Sequence, residues 1–403
     1  MKFQRLFSLI AILLVAVCMP LSALELGPVE LHGSLSQGYI YSQHNNFIVD
    51  STDGTADFRE YGLNATIRPM DNVTIGGQIF GRDFGVAGND EIFLDWLNID
   101  YTWRNWLGFR LGKLKTPYGF YGETRDVDSL RTEILLPQGV YMEYIRGLFD
   151  STWGGAVHGF VSSKTLGGFS YLAQGGVRDV DAQSSDMQRL LIGRGIHIDR
   201  SKSSPSFAIA FIWDTPVEGL RFGTTGSWSK KFISGTADSP FGSSTYESDI
   251  HDNRLLTGSV EYTLGHLTLA AEALSGSFDA IFDYASPYAP DMTLSAAYVG
   301  GYMKADYRFA DWLAVAGGYS SFDFDQTVTV NGANGIPYGP SGLPYGENQD
   351  DWFLSIRFDI TENLILKVEE HIISGISGTF AHENPDGTDK QWSMTMAKMS
   401  FVF

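Results

Sequence analysis

The chain has 403 residues and a formal net charge of −19, which becomes −21 once the first 23 residues, carrying Lys2 and Arg5 and no acid, are set aside. So acidic a chain lacks the net basic face that displaces counterions from nucleic-acid phosphates, and its single cysteine, Cys18, leaves the mature part no disulfide, cysteine-ligated zinc or thiol nucleophile. At 43% hydrophobic residues it is too apolar for disorder, and 45 glycines with 14% aromatics point to β structure.

The N-terminus reads as an export signal. Lys2 and Arg5 precede an apolar run from Leu6 to Met19, and Leu21-Ser22-Ala23 supplies a small residue for cleavage, which predicts a signal peptide over 1–23 and a mature domain over 24–403. No later stretch is apolar for 18 residues, so membrane insertion, if it occurs, must use strands.

Alternation then runs along the chain. Val29, Leu31, Gly33, Leu35, Tyr39 and Tyr41 share one phase, with Glu30, His32, Ser34, Ser36 and Ser42 on the other. The same period of two returns at 61–67, 73–79, 97–101 and 107–111, more weakly in the glycine-rich 154–162 and 169–177, and again at 207–213 and 220–222. Further pairs follow at 256–262 with 267–271, 299–307 with 313–319, and 352–358 with 364–368. Short turns such as Asp71-Asn72, Arg104-Asn105, Gly265-His266 and 361–363 alternate with long polar segments at 45–56, 83–90, 115–150, 178–205, 230–253, 276–292, 323–350 and 373–390. Short turns at one rim and long loops at the other predict an all-β, transmembrane antiparallel barrel of sixteen strands in a bacterial outer membrane, with fourteen or eighteen within reach of the pattern. A soluble β-sandwich is the alternative, but it would bury its apolar face against a second sheet and keep both sets of loops short.

The chain ends with Ala397, Met399, Phe401 and Phe403 in one phase. A terminal Phe behind alternating apolar residues resembles the assembly signal of outer-membrane proteins, which makes Phe403 and Phe401 candidate contacts for assembly machinery. The same residues also serve as a closing lipid-facing strand.

The segment Leu107-Gly108-Phe109-Arg110-Leu111-Gly112-Lys113-Leu114-Lys115-Thr116-Pro117-Tyr118-Gly119 resembles the strand that leads into the third loop of sixteen-stranded porins of the phosphate-selective O/P and dicarboxylate types. Tyr118 stands where those porins carry Phe. Leu366-Lys367-Val368-Glu369-Glu370-His371 resembles their penultimate strand. The resemblance covers the layout of the mature chain and these two segments in sequence. It implies a passive channel, a third loop folded into the lumen, and a homotrimer.

Segment 115–150 is too long for a simple connection, and its apolar, partly helical-looking piece Val127 to Leu136, stopped by Pro137, suits packing against an inner wall. Arg110, Lys113, Lys115, Arg125, Arg131 and Arg146 lie around it, opposed by Glu123, Asp126, Asp128, Glu133 and Glu143. Such charges either line an eyelet that selects solutes by charge or pin the loop to the wall. By parity Arg110 faces inward, whereas Lys113 and Lys115 share the outward phase of Leu111 unless a bulge intervenes, so only the resemblance carries those two lysines into the lumen.

Assigning the apolar phase to lipid places Arg68, Arg82, Arg110, Arg221, Lys304, Arg308, Arg357, Lys367 and Lys398 inward against Glu30, Glu60, Asp100, Glu261, Glu272, Asp306, Asp359 and Glu369. The wall is thus nearly neutral, the acidic excess lies in loops and turns, and the basic residues beside the third loop tilt the expectation toward anions such as phosphate or carboxylates.

No Gly-x-Ser-x-Gly elbow, His-Glu-x-x-His helix or phosphate loop is present, so no catalytic site, cofactor or metal is expected, and His32, His158 and His371 read as lumen hydrogen-bonding groups. The aspartate-rich 50–57 and 384–389 lack the full spacing of a calcium loop and read as solvated turns. The competing function is an adhesin or structural barrel whose acidic loops contact lipopolysaccharide through divalent ions.

Overall fold

The computed structural model describes residues 24–403 apart from 27, 86, 149–150, 179–180, 183, 186, 189–194, 240–241, 285–290, 331–335, 338–347 and 381; segment 1–23, with the expected signal peptide, lies outside the described residues. Sixteen strands form one closed antiparallel sheet. They are β1 (Val29–Gln43), β2 (Phe58–Met70), β3 (Val73–Phe84), β4 (Ala87–Arg104), β5 (Leu107–Lys115), β6 (Ser151–Ser163), β7 (Gly167–Arg178) and β8, built from Ile196–Lys202 and Ser204–Asp214. The circuit continues with β9 (Leu220–Ser239), β10 (Gly242–Leu264), β11 (Leu267–Asp283), β12 (Met292–Ala310), β13 (Leu313–Val330), β14 (Asn348–Asp359), β15 (Leu364–Gly375) and β16 (Gln391–Val402). Each strand pairs with its chain neighbours, and β16 returns to β1 with Ser393 opposite Gln43 and Val402 opposite Ser34. Closure leaves no unpaired edge, which lets strands cross a bilayer without exposing main-chain polar groups.

The outward phase is apolar where it should meet hydrocarbon: Leu97, Ile99, Leu111, Ile209, Leu256, Met303 and Leu354 are all exposed. Aromatic side chains gather near the short-turn rim, where Trp103, Trp106, Trp312 and Phe309 are exposed, and near the upper border, where the Tyr319 and Trp352 rings lie 4.8 Å apart. The inward phase is polar, with Ser206, Gln174, Thr225, Thr257, Glu272, Lys304, Ser355, Lys367, Glu369 and Lys398 buried.

The glycine-rich hairpin at 151–177 is present, with Trp153 opposite Val177 and Ser163 opposite Gly167. Four expectations change. Segment 83–90 is a tight turn, since β3 ends at Phe84 and β4 starts at Ala87, with Gly85 and Gly88 at φ +65° and +79° supplying the left-handed backbone. Much of 230–253, 276–292 and 323–350 is strand, because β9 to β13 continue beyond the apolar belt. Above the belt no lipid holds one phase apolar, and residues such as buried Ile233 and Tyr246 stand among polar ones, so the alternation used to find strands fades while the ladder persists. Resumption of β8 at Ile196 likewise shortens 178–205. The piece 127–136 is not a helix; it holds one 3-10 turn, Asp128–Leu130, and then extends, the N–H groups of Ile134 and Leu135 going to a wall carboxylate.

Candidate functional site

Segment 116–148 leaves β5 and is bound to inward-phase side chains around most of the circuit. Its first turn is shaped by Gly119, at φ +56°, where a Cβ would collide with the Tyr141 hydroxyl. The Gly119 N–H donates to Thr225 Oγ1 at 3.1 Å and the Phe120 N–H to Glu272 Oε1 at 2.7 Å. Glu272 also accepts from the hydroxyls of Tyr302, at 2.8 Å, and Tyr141, while the Tyr121 hydroxyl donates to Glu261. Leu136, Val140, Tyr141 and Met142 pack on Leu274, Tyr298, Tyr302 and Phe322, so the apolar part of the segment has its own partner surface.

The middle of the segment is held by β12 and β14 to β16. Thr132 Oγ1 donates to Asp306 at 2.7 Å, and Lys304 pairs with the fully buried Glu133 at 2.5 Å. The main-chain N–H groups of Ile134 and Leu135 donate to Glu369 at 2.6 and 3.0 Å. Glu369 in turn lies 2.9 Å from Nε2 of His371, whose Nδ1 lies 2.9 Å from Asp351. Lys367 donates to the carbonyls of Asp128 and Glu133 at 2.7 and 2.9 Å, and Arg357 to that of Ser129 at 2.6 Å.

On the β1 to β5 side the contacts are ionic. Arg146 meets Glu60 and Glu143, each at 3.1 Å, and also Asp126. Arg125 meets Glu143 at 2.9 Å, Arg82 meets the same carboxylate, and Lys398 joins Glu60 at 2.5 Å to Asp128 at 3.3 Å. Burial alone would raise the carboxyl pKa values of Asp128 and Glu143, yet both are held well below the usual range. Lys367, Lys398 and Arg131 outweigh it at Asp128, and Arg146, Arg125 and Arg82 at Glu143.

The residues singled out from sequence divide accordingly. Arg125, Arg131, Arg146 and Glu133 enter the buried network, Arg131 meeting Asp128 at 3.4 Å and the carbonyls of Arg125, Glu133 and Ile134. Arg110 is inward and only partly covered, with Nε 2.8 Å from Asp100, which also lies 3.0 Å from His158 Nε2. Lys115 departs from its outward phase: at the end of β5 its flexible stem turns the ammonium to Asp126 and, at 3.1 Å, Asp95. Lys113 stays outside this group; it pairs in register with outward Leu97 and Trp153, and its ammonium donates to the Leu94 carbonyl. Glu123 is exposed and contributes its main-chain carbonyl, 3.2 Å from Lys115. The anchors Glu272, Glu369, Lys304, Lys367 and Lys398 were visible only as inward charges; their partner could not be read, because each contact spans more than 100 residues. At the terminus, Phe403 exchanges both main-chain hydrogen bonds with Gly33 at 3.0 Å, and Phe401 packs with Leu364.

No family model matches the chain, and no curated relative matches it. Solved structures do. An anion-selective porin from Comamonas acidovorans aligns with a TM-score of 0.54 at 12% identity, covering 93% of this chain and 99% of that one. The outer membrane channel DcaP of Acinetobacter baumannii aligns at 0.53 and 13% identity, over 93% and 97%. OprB of Pseudomonas putida aligns at 0.53 and 12%, over 93% and 94%. The fold is that of a sixteen-stranded outer-membrane barrel. At these identities the likeness carries architecture alone.

Proposed function

We propose that this chain is a passive porin of the bacterial outer membrane, a water-filled channel for small hydrophilic solutes whose constriction is segment 116–148 folded into the lumen. One observation carries the reading: residues 119 to 146 of a single connection are hydrogen-bonded or ion-paired to inward-phase side chains of strands from β2 to β16 of a closed barrel with an apolar exterior. A wall that only needed sealing would be closed by apolar packing. A ring of buried, matched charges instead positions a loop beside water without leaving a charge uncompensated.

Anions are the favoured solutes, on a narrower basis. Arg110 and Arg221 remain about a third exposed on the inward face, whereas Asp100 and Glu261, their partners, are about half as exposed, so the accessible part of each pair is the cation. The Comamonas acidovorans neighbour is described as anion-selective. A homotrimer is the proposed assembly, in keeping with a Vibrio cholerae OmpT structure described as a trimer form. Purified, refolded protein added to a planar bilayer tests the reading: stepwise ohmic openings with a reversal potential on the anion side support it, and an absence of openings by verifiably folded protein removes it.

A further inference from the structure

Among the described residues, charges in the outward phase gather at the short-turn rim or at the top of the apolar belt. Asp350, Asp83, Lys230, Arg254 and Asp323 stand nine or ten residues from the short-turn ends of their strands. For tilted strands that is about 23–25 Å, the height of the apolar band. Two charges stand inside the band. Glu370 is six residues beyond Leu364 at the start of β15, and Lys113 is six beyond Leu107 at the start of β5. Both lie about 15 Å above the short-turn rim. Lys115, the next outward position of β5, turns its ammonium inward to Asp126 and Asp95.

Each of the two has apolar neighbours. Glu370 lies between exposed Val368 and Ile372 and in register with exposed Leu354 of β14. Its carboxylate accepts a hydrogen bond from Thr395 Oγ1 on β16, and no cation among the described residues reaches it. Lys113 stands in register with exposed Leu97 and Trp153, and its ammonium donates to the Leu94 carbonyl, a neutral group. Hydrocarbon solvates neither charge, so a charge at this depth is costly unless an opposite one faces it. Within one barrel they cannot meet, since six of the sixteen strand positions separate β5 from β15. Between two barrels they can. Copies inserted in one bilayer share its normal, so opposite charges at equal depth on two flanks come level with each other.

We propose that Glu370 of one copy of this chain forms an ion pair with Lys113 of the next, and that the outer face of β16 and β1 to β4, which the two residues bracket, is where copies dock. Contact between one flank and the opposite flank of the next copy is heterologous and closes into a ring. The inference deepens the homotrimer proposed above and rests on it. It also gives the assembly a register: a copy displaced along the membrane normal loses the pair and leaves both charges facing hydrocarbon.

Cross-linking of the folded barrel in lipid vesicles tests the pair, since positions 24–403 contain no native cysteine. E370C and K113C are folded separately and together, then treated with a short bifunctional maleimide. The mixture should give a cross-linked dimer, and neither variant alone should. In detergent, E370K and K113E should each associate at least about tenfold more weakly than wild type, and the double variant E370K/K113E should return to within a few fold. Heat-modifiable mobility verifies that each barrel is folded. Absence of the mixed dimer, linking of E370C to itself, or failure of the double reversal to rescue overturns the interface. Equal association of all variants would keep the homotrimer and refute the pair. Unchanged association of K113E, with a loss of stability that scales with anionic lipid, would hand the lysine to a lipid phosphate and likewise refute it. Conductance of the same samples separates this inference from the channel reading. Openings without the mixed cross-link leave the channel standing and the interface refuted, and a cross-linked but silent barrel does the reverse.

Discussion

Glu369 on β15 accepts the main-chain N–H of Ile134 at 2.6 Å, joining a barrel wall to a loop 235 residues earlier in the chain. The same carboxylate takes the N–H of Leu135 and meets His371, so three donors converge on one buried acid. Replacing Glu369 with Ala should destabilise the folded barrel by about 3–5 kcal/mol, because His371 and two main-chain N–H groups lose their acceptor inside the protein. Urea unfolding in detergent measures this. E369Q keeps an acceptor oxygen and should recover part of the loss; equal stability of all three proteins would show that the loop is not held there.

The loop carboxylates give a signed pH dependence. Asp128 and Glu143 have folded pKa values below their unfolded ones, so the unfolded state binds more protons in the interval between, and stability rises with pH across it. Their contribution is present above the ordinary carboxylate range, about pH 4, and is lost as pH falls through the lower folded values. Unfolding midpoints should therefore be flat in this respect from pH 7 to 5 and fall below about 4. D128N, measured alongside, should flatten part of that acid limb, and an unchanged limb would contradict the assignment.

Arg110 tests the charge of the open part of the wall. R110Q leaves Asp100 with His158 as its remaining partner at 3.0 Å and should shift reversal potential toward cations. The shift should be larger at about 0.01 M salt than at 1 M, since the screening length falls from about 30 Å to 3 Å. R131Q differs: Arg131 is spent on Asp128 and three carbonyls, so its loss should lower folded yield more than it alters selectivity.

Deleting Phe403 should reduce the amount of folded protein in the membrane while leaving the conductance of the remaining channels unchanged. Two main-chain bonds to Gly33 and the packing beside Phe401 are lost at the seam where β16 meets β1, while Lys398 and Ser400, which hold Asp128 of the loop, stay in place. Wild-type levels with altered conductance would assign Phe403 a different role.

Alternation alone made the barrel legible, because lipid on one side and polar groups on the other force a period of two on each strand crossing the apolar belt. It failed above the belt, where β9 to β13 extend as ladders without a consistently apolar phase and read as loops. It also failed at Lys115, where parity fixes the direction of Cα–Cβ but not the destination of a four-carbon stem. Within segment 116–148 the sequence displayed the charges but not their partners. Arg146 stands three residues from Glu143, yet its contacts with Asp126 and Glu60 depend on how the loop folds back.

The central claim, a conducting lumen constricted by segment 116–148, is tested most directly by a cysteine at the exposed Glu123, since positions 24–403 contain no other thiol. Single-channel conductance of E123C should drop in a discrete step when a bulky, membrane-impermeant thiol reagent is added, while W352C, on the outward apolar face, should be unaffected. Unchanged conductance through a fully labelled E123C channel would place the segment away from the permeation path and contradict the account.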